Sequence, residues 1–242
     1  RDSSVTGVQT CALPIYMIKA KTVSSKESKA SSPALVTITP PNFKHIKFTL
    51  EGTAPLLQNK FSTVKAKTMM ATMAAGSTSK KGAKREARDF DADFIGAQHI
   101  STEGWVGVPA SSIRTACIDV CRMAGFKMTH AKMSLFVLAD GTDATDGQPL
   151  VRLVAKDPEK TAMPVRNSTG VTDIRVRPMW REWKLNVVIR FDADQFTFTD
   201  VANLISRAGE QCGLGEGRPF SKNSNGLGYG TFKIAKQTED EE

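Results

Sequence analysis

Trp183, Leu185, Val187, Ile189 and Phe191 occupy alternate positions of one run and share one face. A period of two over nine residues is that of a strand with one buried side, and it constrains the fold more than any other feature of the chain. Phe43 to Glu51 repeats the pattern, with Ile46, Phe48 and Leu50 alternating with His45, Lys47 and Thr49. Shorter strands are expected at 134–139, at 150–154 and at 229–235, and Trp105 to Pro109 reads as a short extended segment.

Helices are expected between them. One starts near Ser62, and its apolar side of Val64, Met69, Met70 and Met73 is expected to face the core. Phe90 to Gln98 suggests another. Ile113 to Ala124 is a third, with Ile113, Ala116, Cys117, Val120, Cys121 and Ala124 along one side. Ala110-Ser111-Ser112 supplies its cap candidates and Gly125 its stop. Val201 to Cys212 is the last, capped by Thr199-Asp200.

With the long connections set aside, the order is strand 43–51, helix 112–124, strand 134–139, strand 183–191, helix 200–212, strand 229–235. This β-α-β-β-α-β order predicts an α+β, ferredoxin-like (RRM-like) core. Two long insertions interrupt it, 52–110 and 140–182. The expected organisation is a single domain over 41–236, preceded by a disordered basic arm at 17–40 and followed by an acidic tail at 237–242. Residues 1–16 resemble the translation of a sequencing adapter and are set apart as a probable artefact, as a fusion scar would be.

Three basic segments lie on the connections of that core. Lys80, Lys81, Lys84 and Arg85 stand among glycine and serine in the first insertion. Arg166, Arg175 and Arg177 stand in the second, where Ile174 and Val176 alternate with Asp173, Arg175 and Arg177. That alternation fits a hairpin strand with one cationic face. The third is the glycine-rich loop Gly213 to Gly230, which carries Arg218 and Lys222. Glycines leave N–H groups uncovered and permit φ > 0, so such a loop can wrap a phosphate chain. A solvated charge run and a mobile surface loop are the alternative readings.

The formal net charge of +8 points to a polyanionic partner, nucleic acid first. No apolar run approaches the length of a membrane span, so no membrane partner is expected. Four cysteines form no C-x-x-C pair and histidines number three, so neither a zinc site nor any other metal or cofactor is expected. A reducing cytosol fits this usage. Asp140, Asp143 and Asp146 lack EF-hand spacing.

Glu51 to Leu56 after the first strand, Val108-Pro-Ala-Ser-Ser-Ile-Arg114 at the first core helix, the hairpin-like insertion and the glycine loop together resemble the RAMP superfamily. These are the RRM-like proteins of CRISPR effector complexes, and the likeness is to their backbone subunits, which coat guide RNA as a filament. The whole chain is also similar to a group of proteins encoded by tailed bacteriophages. The resemblance implies sequence-tolerant binding of single-stranded RNA or DNA, a homo-oligomer or filament, and the cytoplasm of a bacterial host. It carries over Ser111, Ser112 and Arg114 at the helix start, and Gly215, Gly217, Arg218, Lys222 and Gly228 in the loop, with Arg166, Arg175 and Arg177 as thumb-like residues. Some relatives cleave RNA, so a RAMP-type endoribonuclease is one alternative. A phage structural or interaction protein is the other. Asp89, Asp91, His99 and His130 are catalytic candidates by residue type alone, and no pairing among them assigns catalysis.

Overall fold

The computed structural model describes residues 38–61, 63–74, 76, 88–166, 170, 172–220 and 226–239. The chain divides into residues 1–39 and a compact unit of residues 40–242, which carries every element named below. Lys80, Lys81, Lys84, Arg85 and Lys222 lie outside the described residues, as do residues 1–37 and 240–242.

The fold is mixed α+β. Strand β1 (Phe43–Gly52) buries Ile46, Phe48 and Leu50, as its alternation predicts. A two-residue strand, β2 (Leu56–Leu57), follows, then α1 (Thr63–Ala74), α2 (Phe90–Gly96) and β3 (Gly107–Pro109). Next come α3 (Ala110–Cys121), α4 (Met128–Ser134), β4 (Leu135–Leu138), β5 (Gly141–Thr142) and β6 (Pro149–Ala155). The hairpin β7 (Glu159–Arg166) and β8 (Thr172–Trp180) leads to β9 (Trp183–Asp192). Helix α5 (Phe198–Arg207) runs into a π-helical turn (Ala208–Cys212), and β10 (Phe232–Glu239) ends the described chain.

The main sheet is antiparallel and runs β10-β1-β9-β6-β3, with β4 also on β9 and β5 on β6. One edge of β9 is shared. β4 takes Val188 to Phe191, and β6 takes Trp183 to Leu185. The sheet curls away from β9 along β6. A separate three-stranded sheet runs β2-β8-β7. The two insertions therefore meet, since β2 comes from the first and β7 and β8 from the second.

Helices α3 and α5 cover one face of the main sheet. Ile113, Cys117, Val120, Val201 and Ile205 join Ile46, Phe48, Leu185, Ile189 and Phe191 in a single core. Each large aliphatic or aromatic side chain buried there contributes roughly 1.5–3 kcal/mol. The π-helical turn brings Gly209 onto the last strand, where a Cβ would overlap the Phe232 carbonyl oxygen.

Several boundaries differ from expectation. α3 begins at Ala110, directly after Pro109 with φ −55° and ψ 125°; no side chain caps it, and Ser111 and Ser112 lie inside the helix. α5 is capped by Thr197. Its hydroxyl accepts from Asp200 N at 3.1 Å, and the Asp200 carboxylate accepts from Thr197 N at 2.9 Å. The strand expected to end near Ala235 continues, pairing Gln237, Thr238 and Glu239 with Phe48, Lys47 and Ile46. The expected acidic tail thus starts inside β10. The largest reversal is α1. Its Met69, Met70 and Met73 are 50%, 68% and 72% exposed, because nothing extensive packs against the helix.

Candidate functional site

The described part of the glycine loop, residues 213–220 and 226–230, is packed against the protein. Four of its donors are spent within the protein: Gly213 N on Ala208 O, Leu214 N on Gly230 O, Glu216 N on Leu57 O and Gly230 N on Pro55 O, all at 2.8–2.9 Å. Tyr229 N donates to Gly217 O at 3.2 Å. These bonds tie the loop to Leu57 of β2, to Pro55 before it, to the π-helical turn and to itself, so the five N–H groups do not cradle an anion. Gly215 and Gly230 have φ of 76° and 69°. A Cβ on Gly215 would overlap Leu57 O, and one on Gly230 would overlap Leu214 O. Gly217 packs against Tyr229, whereas Gly228 faces open space.

Beside this turn lies a cleft of about 150 Å³ between α3 and the loop. Ser111, Ser112, Thr115 and Asp119 line it from the helix, Cys212 from the π-helical turn, and Gly215 and Arg218 from the loop. Arg218 is held in place by Nε donating to Phe220 O at 3.0 Å and Nη1 to Gly215 O at 3.1 Å. The cleft runs along the flank of α3 from Ser111 to Asp119, so the hydroxyls of Ser111, Ser112 and Thr115 face the Arg218 side of it while Asp119 adds a carboxylate to the same lining. Burial and the nearby Asp119 carboxylate push the Cys212 thiol up to about 11, with Arg218 opposing. Burial also raises the Cys117 and Cys121 thiols. All three are unpaired, buried and protonated at neutral pH, which removes them as nucleophiles.

Of the residues expected to bind nucleic acid, the structure gathers Ser111, Ser112, Gly215 and Arg218 in the cleft. Others serve elsewhere. Arg114 donates to Leu135 O at 2.7 Å and to Lys132 O, and it covers the Phe136 ring, tying α3 to the α4–β4 junction. Arg177 is 6% exposed and paired with Glu216 at 2.5 Å, so it joins the hairpin to the glycine loop. Arg175 lies 3.7 Å from Asp173 and is half-buried, and Arg166 sits on β7 opposite Thr172. The cationic outer face expected on β8 is not formed: Ile174 is exposed and Arg177 buried.

The acid and histidine candidates are scattered. Asp89 caps α2, accepting from Asp91 N and Ala92 N, and Asp91 pairs with Lys160. His130 packs edge-on against Phe126. His99 is part of a buried polar knot that sequence reasoning missed. Its Nδ1 is 3.2 Å from Asp143, which also takes Lys60 Nζ at 2.5 Å and the Thr145 hydroxyl at 2.6 Å. Burial would raise the Asp143 carboxyl, but Lys60 and Thr145 outweigh it and hold the group at about 2. Burial, together with Lys60, holds His99 below the usual histidine range, while Asp143 opposes. Among the described residues no group of three histidine, cysteine or acidic side chains could hold a metal ion.

A second surface was also missed. The sheet face opposite α3 and α5 presents Phe43, His45, Lys47 and Thr49 of β1 beside Asn186, Val188 and Arg190 of β9. The Arg190 guanidinium lies 4.7 Å from the Phe43 ring centre and 4.9 Å from that of Phe136. Among the described residues its Nε has no hydrogen-bond partner. The signal was in the sequence: the polar members of the β1 alternation were read only as the outside of a strand.

No protein-family model matches the sequence, and no curated protein matches it.

Proposed function

We propose that this protein binds single-stranded nucleic acid, RNA or single-stranded DNA, with little sequence preference. The observation that carries the reading is the cleft, in which Ser111 and Ser112 of α3 and Arg218 of the glycine loop, far apart in sequence, line one concavity. Hydroxyls and a guanidinium are donors that hold phosphate oxygens. The sheet face with Arg190 between two phenylalanine rings adds cations and aromatic surface of the kind single strands stack on. The formal charge of +8 supports the same partner.

The finer fold belongs to the proposal. Strands β10, β1, β9 and β4 neighbour one another in that order, all antiparallel, with α3 and α5 on one face. That order supports a ferredoxin-like core and, with the helix start and loop, kinship with RAMP proteins. A bacterial cytosol as the compartment is part of the same reading. No described helix is long and apolar enough to cross a membrane.

The test is binding of nuclease-treated protein to labelled RNA and DNA oligonucleotides across a salt series. Binding is expected to weaken steeply with salt, and Arg218→Ala with Lys222→Ala to weaken it about tenfold or more on every sequence. The double variant is expected to lower the salt slope by about 1.4, roughly 0.7 per lost phosphate contact. Absence of binding at low salt overturns the proposal.

A further inference from the structure

We propose, resting on the nucleic-acid reading above, that an acid, Glu216, is required for the cleft to bind a phosphate chain. Its buried pair with Arg177 aims the Arg218 guanidinium into the cleft. Neither Arg177 nor Glu216 is among the residues that line that cleft. Arg177 stands on β8, between β2 and β7, with its side chain 7% exposed. Its Nε donates to Glu216 Oε2 at 2.5 Å and its Nη1 to Val176 O at 3.1 Å.

One peptide group transmits the aim. The peptide joining Gly215 to Glu216 is trans and planar, so its N–H and C=O point to opposite sides. The N–H of Glu216 donates to Leu57 O at 2.9 Å. The Gly215 oxygen, on the other side, accepts from Arg218 Nη1 at 3.1 Å. A tilt of this plane therefore carries the guanidinium with it. The bond to Leu57 alone would be a pivot, and the Glu216 side chain supplies a second fixed point. Both points belong to one sheet. Leu57 pairs with Met179, and Gln58 N donates to Pro178 O at 3.3 Å, beside Arg177. Gly215, at φ 76°, lets the plane press this closely, since a Cβ there would overlap Leu57 O.

Charge separates this role from direct contact. An acid two residues before Arg218 would by itself repel a polyanion. Here its charge is spent on Arg177, a buried guanidinium that needs a partner. The hairpin β7–β8 thus serves the cleft without lining it. Electrostatics alone predicts that loss of the Glu216 carboxylate tightens binding of a phosphate chain, whereas positioning predicts that it weakens binding.

The test measures binding of the full chain, nuclease-treated, to labelled oligouridylate and oligothymidylate across a salt series. Glu216→Ala is expected to weaken binding about fivefold, as Arg218→Ala does, and to lower the salt slope by about 0.7, one phosphate contact. Glu216→Gln keeps an oxygen for Arg177 Nε and is expected to stay within about twofold of wild type. Arg218→Ala added to Glu216→Ala is expected to cost less than about twofold more, because both act through one guanidinium. Where Glu216→Ala does not fold, Arg177→Met with Glu216→Ala removes the pair at constant net charge and strands no buried cation; the same fivefold loss, about that size, is expected of it. Unchanged or tighter binding by the variant that folds, or additive losses on adding Arg218→Ala, overturns the proposal and leaves the nucleic-acid reading standing. A wild type that binds neither oligonucleotide at low salt overturns both.

Discussion

The glycine loop and α1 exchange the roles their residues suggest. Glycine-rich sequence ordinarily means loose backbone, yet Gly213, Leu214, Glu216 and Gly230 donate backbone hydrogen bonds to Ala208, Gly230, Leu57 and Pro55. Methionine-rich sequence ordinarily means core, yet Met69, Met70 and Met73 lie open. The difference is what each segment meets. The loop is flanked by the core of both sheets, and its missing side chains are what let two backbones touch. α1 leaves the body after Lys60, whose Nζ is buried on Asp143, and beyond that anchor the helix has little to pack on.

Two glycines isolate that difference, since Gly230 and Gly76 share the left-handed conformation at φ 69° and 77°. A Cβ at Gly230 would overlap a carbonyl, whereas one at Gly76 meets nothing within 4 Å. Gly230→Ala is expected to cost about 3 kcal/mol or more in urea unfolding, combining backbone strain with overpacking. A loss under about 1 kcal/mol would mean the loop is not the rigid region argued above.

The anchor between the two regions gives a smaller effect with a pH signature. Asp143 is held at about 2 when folded, below its ordinary 3.8. On acidification the unfolded chain takes up this proton first, so the stability it contributes is full above pH 4 and is lost as pH falls towards 2. The shift is worth about 2 kcal/mol. His99 is also held low, so it favours the folded state above its unfolded pKa and loses that contribution as pH falls below about 6.5. Unfolding free energies of wild type and Asp143→Asn, measured from pH 7 to pH 2, are expected to converge by about 2 kcal/mol. Parallel curves would remove the carboxylate from the anchor.

The smallest effects are expected on α1 itself. Met73→Ala is expected to change the unfolding free energy of the monomer by under about 0.5 kcal/mol, because its side chain does not touch the core, and Gly76→Ala, just beyond the helix, by about 1 kcal/mol, from the strain of its left-handed backbone without any overlap. A loss of 2 kcal/mol for Met73→Ala would show that α1 packs on its own body and would erase the contrast.

The strands β1 and β9 were legible because burial of one sheet face writes itself as strict alternation, visible at Ile46, Phe48 and Leu50 and at Trp183 to Phe191. Helices α3 and α5 were legible for the same reason at a longer period, although both caps were displaced. α3 starts directly after Pro109 without a serine cap, and Thr197 formed its box with Asp200 two residues before the expected position. Of the candidate site, Ser111, Ser112, Gly215 and Arg218 came together, while Arg114 and Arg177 went to carbonyls, a ring and Glu216. An arginine's partner is set by what folds next to it, and sequence does not carry that distance.

The amino-acid sequence by itself determined where the chain alternates, where it turns helical and which segments are cationic, because these follow from local sterics and from one-sided burial. Tertiary structure alone decided which charges were consumed, which glycines were pinned and which apolar helix was left bare. Those outcomes depend on contacts between residues far apart in the chain, such as Lys60 with Asp143, Arg177 with Glu216 and Gly230 with Leu214. No local preference encodes a contact of that kind.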